Sequence, residues 1–183
     1  VARGAVVRRR TALLLGVLLL PAVLGGCGGS GGASAEDHAG ARDEVRAAAV
    51  EVVPALAEAL GGEVRWARGE YEAYGIKDDR SLAYQADAEI AAPATRDDVA
   101  AAVADLGWSV DDGGGDTVVG ERGDLTLSAT VRADVVRVSV DGPRLPLGDD
   151  GPERAGQEGL GLPYPTFVPE VAPEDREDAA TDG

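Results

Sequence analysis

The chain has 183 residues, with 33 Asp and Glu against 17 Lys and Arg, a formal net charge of −16. Such a surface argues against nucleic acid or anionic lipid as a direct partner. Its length suits one modest domain. The single cysteine, Cys27, rules out an intramolecular disulfide, so an apolar core must hold that domain together.

Arg3, Arg8, Arg9 and Arg10 precede the apolar run Thr11–Leu24 with no acidic residue among them, as in the n- and h-regions of a secretory signal. The run is too short to cross a hydrocarbon core of ~30 Å, which takes roughly 20 residues, and Pro21 breaks it near its end. It closes on Leu24-Gly25-Gly26-Cys27, which resembles a bacterial lipobox. That resemblance implies cleavage between Gly26 and Cys27 and a diacylglycerol thioether on Cys27. A further acyl chain of the palmitate type would follow on the freed amino group, and two or more chains anchor stably. Residues 1–26 are then an address label, and the mature protein is tethered to the cell membrane on its extracytoplasmic face. An uncleaved anchor with an incidental cysteine is the competing reading. Arg9-Arg10 resembles a twin-arginine export signal, but Ala12 sits where that signal has a large apolar residue, so general secretion is expected. All four label arginines leave with it, so the mature part keeps 13 basic against 33 acidic residues, −20.

Residues 27–36 are rich in Gly, Ser and Ala, a flexible tether. They lack the lysine and following helix of a phosphate-binding loop. The domain is expected over 37–142. From Asp37 to Leu60 the apolar residues Val45, Ala49, Val52, Leu56 and Leu60 recur at three- and four-residue steps, one face of a helix. Gly61-Gly62 stops it, and Pro54 predicts a kink or two consecutive helices. His38, the sole histidine, reads as a solvated residue at the fraying start.

Two strands follow. In the first, Val64, Trp66 and Arg68 alternate, and Tyr71–Tyr74 continue it past a bulge near Gly69. In the second, Leu82, Tyr84, Ala86, Ala88 and Ile90 face one way, with Ala83, Gln85, Asp87 and Glu89 opposite. A second helix comes after Pro93, capped by Thr95 with Asp98 reaching back. Its apolar face is Val99, Ala102, Val103 and Leu106, Gly107 ends it, and Trp108 folds back onto Val103. Four strands complete the domain: Trp108–Asp111, Thr117–Glu121, the alternation around Leu125–Val131, and that around Val136–Val140. The order α-β-β-α-β-β-β-β with short connections predicts an α+β two-layer sandwich, two helices on one antiparallel sheet.

Residues 143–183 hold seven of the ten prolines and many acids, and are expected as a disordered tail. Within it, Leu160–Val168 is an apolar patch. It suits a partner's groove, a return onto the chain's own sheet, or a spacer with incidental apolar residues.

No catalytic site is expected. Cys27 is assigned to lipid and His38 to the tether, which leaves no nucleophile–base pair and no clustered His or Cys for a transition metal. The acid pairs Asp78-Asp79, Asp97-Asp98, Asp111-Asp112 and Asp149-Asp150 read as solvated turns and helix starts. Asp111, Asp112 and Asp116 miss the EF-hand spacing and its closing glutamate, so no metal or cofactor is expected. The domain also looks too small for the deep cleft of a two-carboxylate glycosidase. With its label, glycine linker and Leu106-Gly107-Trp108, the chain resembles the small, mostly uncharacterised lipoproteins of actinobacteria, a likeness that carries no functional residues. It departs from several of them in having no cysteines within the domain. The expected role is a non-enzymatic envelope interaction module that binds another envelope protein through its sheet face or tail. The alternative is a carrier for a small or lipidic ligand held between helices and sheet.

Overall fold

The computed structural model describes residues 32–76, 80–111, 114–148, 152 and 157–166. The label 1–26 with its Gly26–Cys27 junction, the tether up to residue 31 and the tail beyond 166 lie outside them. Among the described residues the chain is α+β, with two helices and one seven-stranded antiparallel sheet.

Helix α1 (Ala35–Ala59) starts ahead of the apolar periodicity because Ser34 and Asp37 cap it reciprocally. Ser34 Oγ accepts from the Asp37 N–H at 3.2 Å, and the Asp37 carboxylate accepts from the Ser34 N–H at 2.9 Å, which satisfies two otherwise orphaned donors. The helix runs unbroken through Pro54. Proline deprives the Val50 carbonyl of its helical donor, but Val50 is 39% exposed, so water can take that bond.

The long hairpin of β1 (Glu63–Tyr74) and β2 (Ser81–Ala91) follows, then helix α2 (Arg96–Asp105). The chain continues through β3 (Ser109–Asp111), β4 (Thr117–Arg122), β5 (Leu125–Arg132), β6 (Val135–Asp141) and β7 (Leu145–Pro146). In space the order is β1-β2-β6-β5-β4-β3. β7 is one strand more than the sequence suggested, and pairs with β2 at Leu82↔Leu145 and Ser81↔Pro146, beyond the end of β6. α2 has the expected Thr95–Asp98 capping box. It ends at Gly107 with φ +84°, a conformation that favours glycine. The Trp108 N–H then donates back to the Val103 carbonyl at 3.3 Å, and the indole is buried.

The registers lay the small and branched apolar residues in rows across one face. Gly69, Ala86, Val140, Leu127 and Gly120 form one row, and Ala67, Ala88, Val138, Ala129 and Val118 the next. α1 packs against β1, β2 and β6, and α2 against β3, β4 and β5. The low side chains of Ala67, Ala86 and Ala88 let α1 come close, while Val45, Val52 and Leu56 fill the layer between.

The chain beyond residue 142, expected as a disordered tail, contributes to this core. Besides β7, residues 157–166 form a strap along the outer edge of β1. Gly69 and Glu158 exchange two backbone hydrogen bonds of 2.8 Å, and the Ala67 N–H donates to the Pro165 carbonyl at 3.0 Å. Leu160, 4% exposed, enters the core. The physical cause is the otherwise unpaired outer edge of β1, whose backbone groups the strap satisfies while Leu160 joins the core cluster. Tyr84 locks the strap. Its hydroxyl, kept protonated by burial that pushes its pKa up, donates a hydrogen bond to Glu158 Oε1 at 2.5 Å. The same oxygen accepts from Arg46 Nη1 at 2.8 Å. Gly69 leaves the room this needs, since a Cβ there would lie 1.9 Å from the Tyr84 hydroxyl oxygen.

Candidate functional site: a polar groove on the second face of the sheet

The opposite face of the same strands carries charge and hydroxyls in rows of its own. Trp66, Glu89, Arg137 and Thr130 stand side by side across β1, β2, β6 and β5, and Arg68, Asp87, Ser139 and Ser128 form the adjoining row. These eight residues line a groove of about 580 Å³, within the roughly 300–1,000 Å³ typical of ligand pockets.

Trp66 reaches this face through a bulge. Val64 pairs with Ile90 and Trp66 with Glu89, leaving Arg65 as the extra residue. The alternation expected for Val64, Trp66 and Arg68 is therefore broken one residue after Val64, and the bulge sits there rather than at Gly69. An added residue turns every later side chain to the other face, so Trp66 and Arg68 share the polar face while Val64 packs against the core. The Arg68 guanidinium lies 5.6 Å from the Trp66 ring centroid.

Each carboxylate of the groove is held on more than one side. Glu89, with 13% of its side chain exposed, meets Arg65 at 3.1 Å from one flank and Arg137 at 3.3 Å from the other. Asp87 lies 3.5 Å from Arg68 Nη2 and accepts from Gln85 Nε2 at 3.0 Å. Gln85 Nε2 also donates to Ser139 Oγ at 2.9 Å, and Ser139 Oγ donates to Asp141 at 2.9 Å. Burial holds the Asp87 carboxyl above its ordinary pKa, with Arg68 opposing. Burial also raises Asp141, with the Ser139 hydrogen bond opposing and Asp87 adding to the rise.

The residues singled out from the sequence fall elsewhere. Gly26 and Cys27 lie outside the described residues, as do Asp78-Asp79, Asp112 and Asp149-Asp150. Asp97 and Asp98 sit in the first turn of α2, where Asp98 caps the helix. Among the described residues no three His, Cys, Asp or Glu side chains are placed to hold a metal ion, and no helix is long and apolar enough to cross a membrane.

His38 corrects the expectation of a solvated residue. It is 1% exposed, packs edge-on to Tyr71 with ring centroids 6.4 Å apart, and its carbonyl accepts from the Tyr71 hydroxyl at 3.1 Å. The cause is the early start of α1, which puts residue 38 on the stripe of Val45, Ala49 and Val52. The Ser34–Asp37 capping pair was the signal for it.

No protein-family model, curated protein or solved structure matches the chain.

Proposed function

We propose that this is a membrane-tethered, extracytoplasmic binding module that carries out no catalytic step and engages an envelope component through the polar groove. The fold is read as a two-layer sandwich, its helices over the apolar face and the groove on the face they leave open. The observation that carries the reading is the groove itself. It gathers an indole, two guanidiniums, two carboxylates and three hydroxyls from four strands of one sheet. Its carboxylates are already engaged by arginines and a glutamine, which suits recognition better than proton transfer. The apolar patch at Leu160 is seated on the chain's own β1, and this favours the sheet face over the tail as the binding surface. Leu56, Ile90 and Leu127 are fully buried between helices and sheet, where the carrier alternative would put its ligand. The lipobox-like Leu24–Cys27 supports tethering.

Two measurements test this. Wild type purified from membranes should carry lipid mass at Cys27 that Cys27→Ala lacks. A mass without lipid in both would end the tether reading. A photo-crosslinking residue at Ser128 should capture an envelope component in cells, and one at the exposed Glu44 of α1 should not. Crosslinks at Glu44 alone would move the binding surface away from the groove.

A further inference from the structure

The chemistry of the groove narrows its ligand, given the reading of the groove as a binding site. We propose that it holds an uncharged glycan, with the apolar face of a sugar ring stacked on Trp66. The ring hydroxyls would be shared among Asp87, Glu89, Arg68 and Arg137.

Charge carries the first part of the argument. The lining sets two carboxylates against two guanidiniums, so it has no net formal charge, while the whole chain carries −16. An anionic ligand would be repelled by the molecule at large, and a cationic one would gain nothing from a lining in which Arg68 and Arg137 offset Asp87 and Glu89. A neutral ligand faces neither penalty.

Donor and acceptor supply carries the second. The guanidiniums only donate, the ionised carboxylates only accept, and the hydroxyls of Ser128, Thr130 and Ser139 do both. A sugar hydroxyl is donor and acceptor at once, and neighbouring hydroxyls on a ring can bridge a carboxylate and a guanidinium that stand side by side. Asp87 beside Arg68, at 3.5 Å, and Glu89 beside Arg137, at 3.3 Å, are two such couples in adjacent rows of the sheet.

The indole supplies the third. A lipid tail needs a continuous apolar surface, whereas Trp66 is the one aromatic side chain in a lining otherwise made of charged and hydroxyl groups with Ala88 and Val138. A single aromatic plane surrounded by hydrogen-bonding groups matches a sugar, which has an apolar C–H face and a polar rim. The bulge at Arg65 puts the indole there. It makes the groove amphipathic instead of wholly polar.

The test is a titration of the full chain, purified in detergent micelles, with maltohexaose and with chitohexaose, read by calorimetry and tryptophan fluorescence. At least one hexasaccharide should bind saturably. Trp66→Ala should weaken binding by about tenfold or more, and the affinity should change less than about twofold between low and high salt. Should Trp66→Ala fail to fold, Arg137→Ala at a side chain 61% exposed replaces it, with a loss of the same order expected. Absence of saturable binding by either hexasaccharide overturns the proposal, as does binding that the groove variants leave unchanged. A hexa-arginine peptide titrated in parallel separates the two levels of the reading. If it alone binds, and salt and Trp66→Ala weaken it, the glycan is refuted while the groove stays a binding site. Loss of the Ser128 crosslink removes the site itself.

Discussion

The two faces of the sheet are made from the same strands by opposite means. The face under the helices is built on close approach, with small residues and hydrocarbon in contact and little room for change. At Gly69 a single added carbon would meet the Tyr84 hydroxyl. The other face is built from paired polar side chains that are partly exposed and held by ion pairs and hydrogen bonds. Burial is concentrated on the first face, so substitutions there and on the second should differ in their cost to stability.

Substitutions on each face should break or sharpen that contrast. The largest effect is expected for Gly69→Ala. It forces the Tyr84 ring or the strap to shift and should cost about 3 kcal/mol, within the cost of overpacking a filled core. Denaturant unfolding measures it, and a change below about 1 kcal/mol would mean that the covered face is looser than its geometry indicates. Leu160→Ala should come close behind at about 2–3 kcal/mol, since it empties a buried site in the core cluster. Proteolysis should then cut the strap sooner than in wild type. On the groove face, Arg137→Ala should shift stability by no more than about 0.5 kcal/mol, because its ion pair with Glu89 is exposed on the arginine side.

Acidity sharpens the contrast further. Asp87 has a raised folded pKa, so the native state holds its proton more tightly than the unfolded chain. Its contribution to stability is therefore greatest below the unfolded pKa, near 3.8, and falls as pH rises through the folded value. Asp87→Asn removes that loss. The stability of the variant relative to wild type should rise between about pH 4 and pH 7. A difference that stays flat with pH would show that the Arg68 pairing cancels the burial at Asp87. The capping residues Asp37 and Asp98 behave in the opposite sense. Hydrogen bonds from Ser34 and Thr95 lower them, so their support is present above the unfolded pKa and is lost as pH falls through the folded one.

Much of this architecture is legible in local patterns. Thr95 with Asp98, and Gly107 with Trp108, define α2 from both ends. The alternation in Leu82–Ile90 and in Val136–Val140 predicts which residues face each way. The rest depends on how distant segments meet. Nothing near Arg65 marks the bulge that moves Trp66 to the polar face, because a bulge is a property of the pairing with β2 and not of β1 alone. His38 was missed because a glycine- and serine-rich approach hides the Ser34–Asp37 cap. The strap was ambiguous because Leu160 and Pro165 suit either a partner or the chain's own β1, and only the open edge beside Gly69 decides between them. The groove likewise arises from register, since Asp87, Glu89, Arg137 and Ser139 read one strand at a time are ordinary solvent-facing residues.

The clasp at Glu158 also bears on the order of events during synthesis. Arg46, Gly69 and Tyr84 emerge long before Glu158 and Leu160, yet their positions are completed by those two residues. A chain made from its N-terminus therefore cannot complete this seam until Glu158 and Leu160 have been released. The seam beside β1 is thus the last part of the described core to shut.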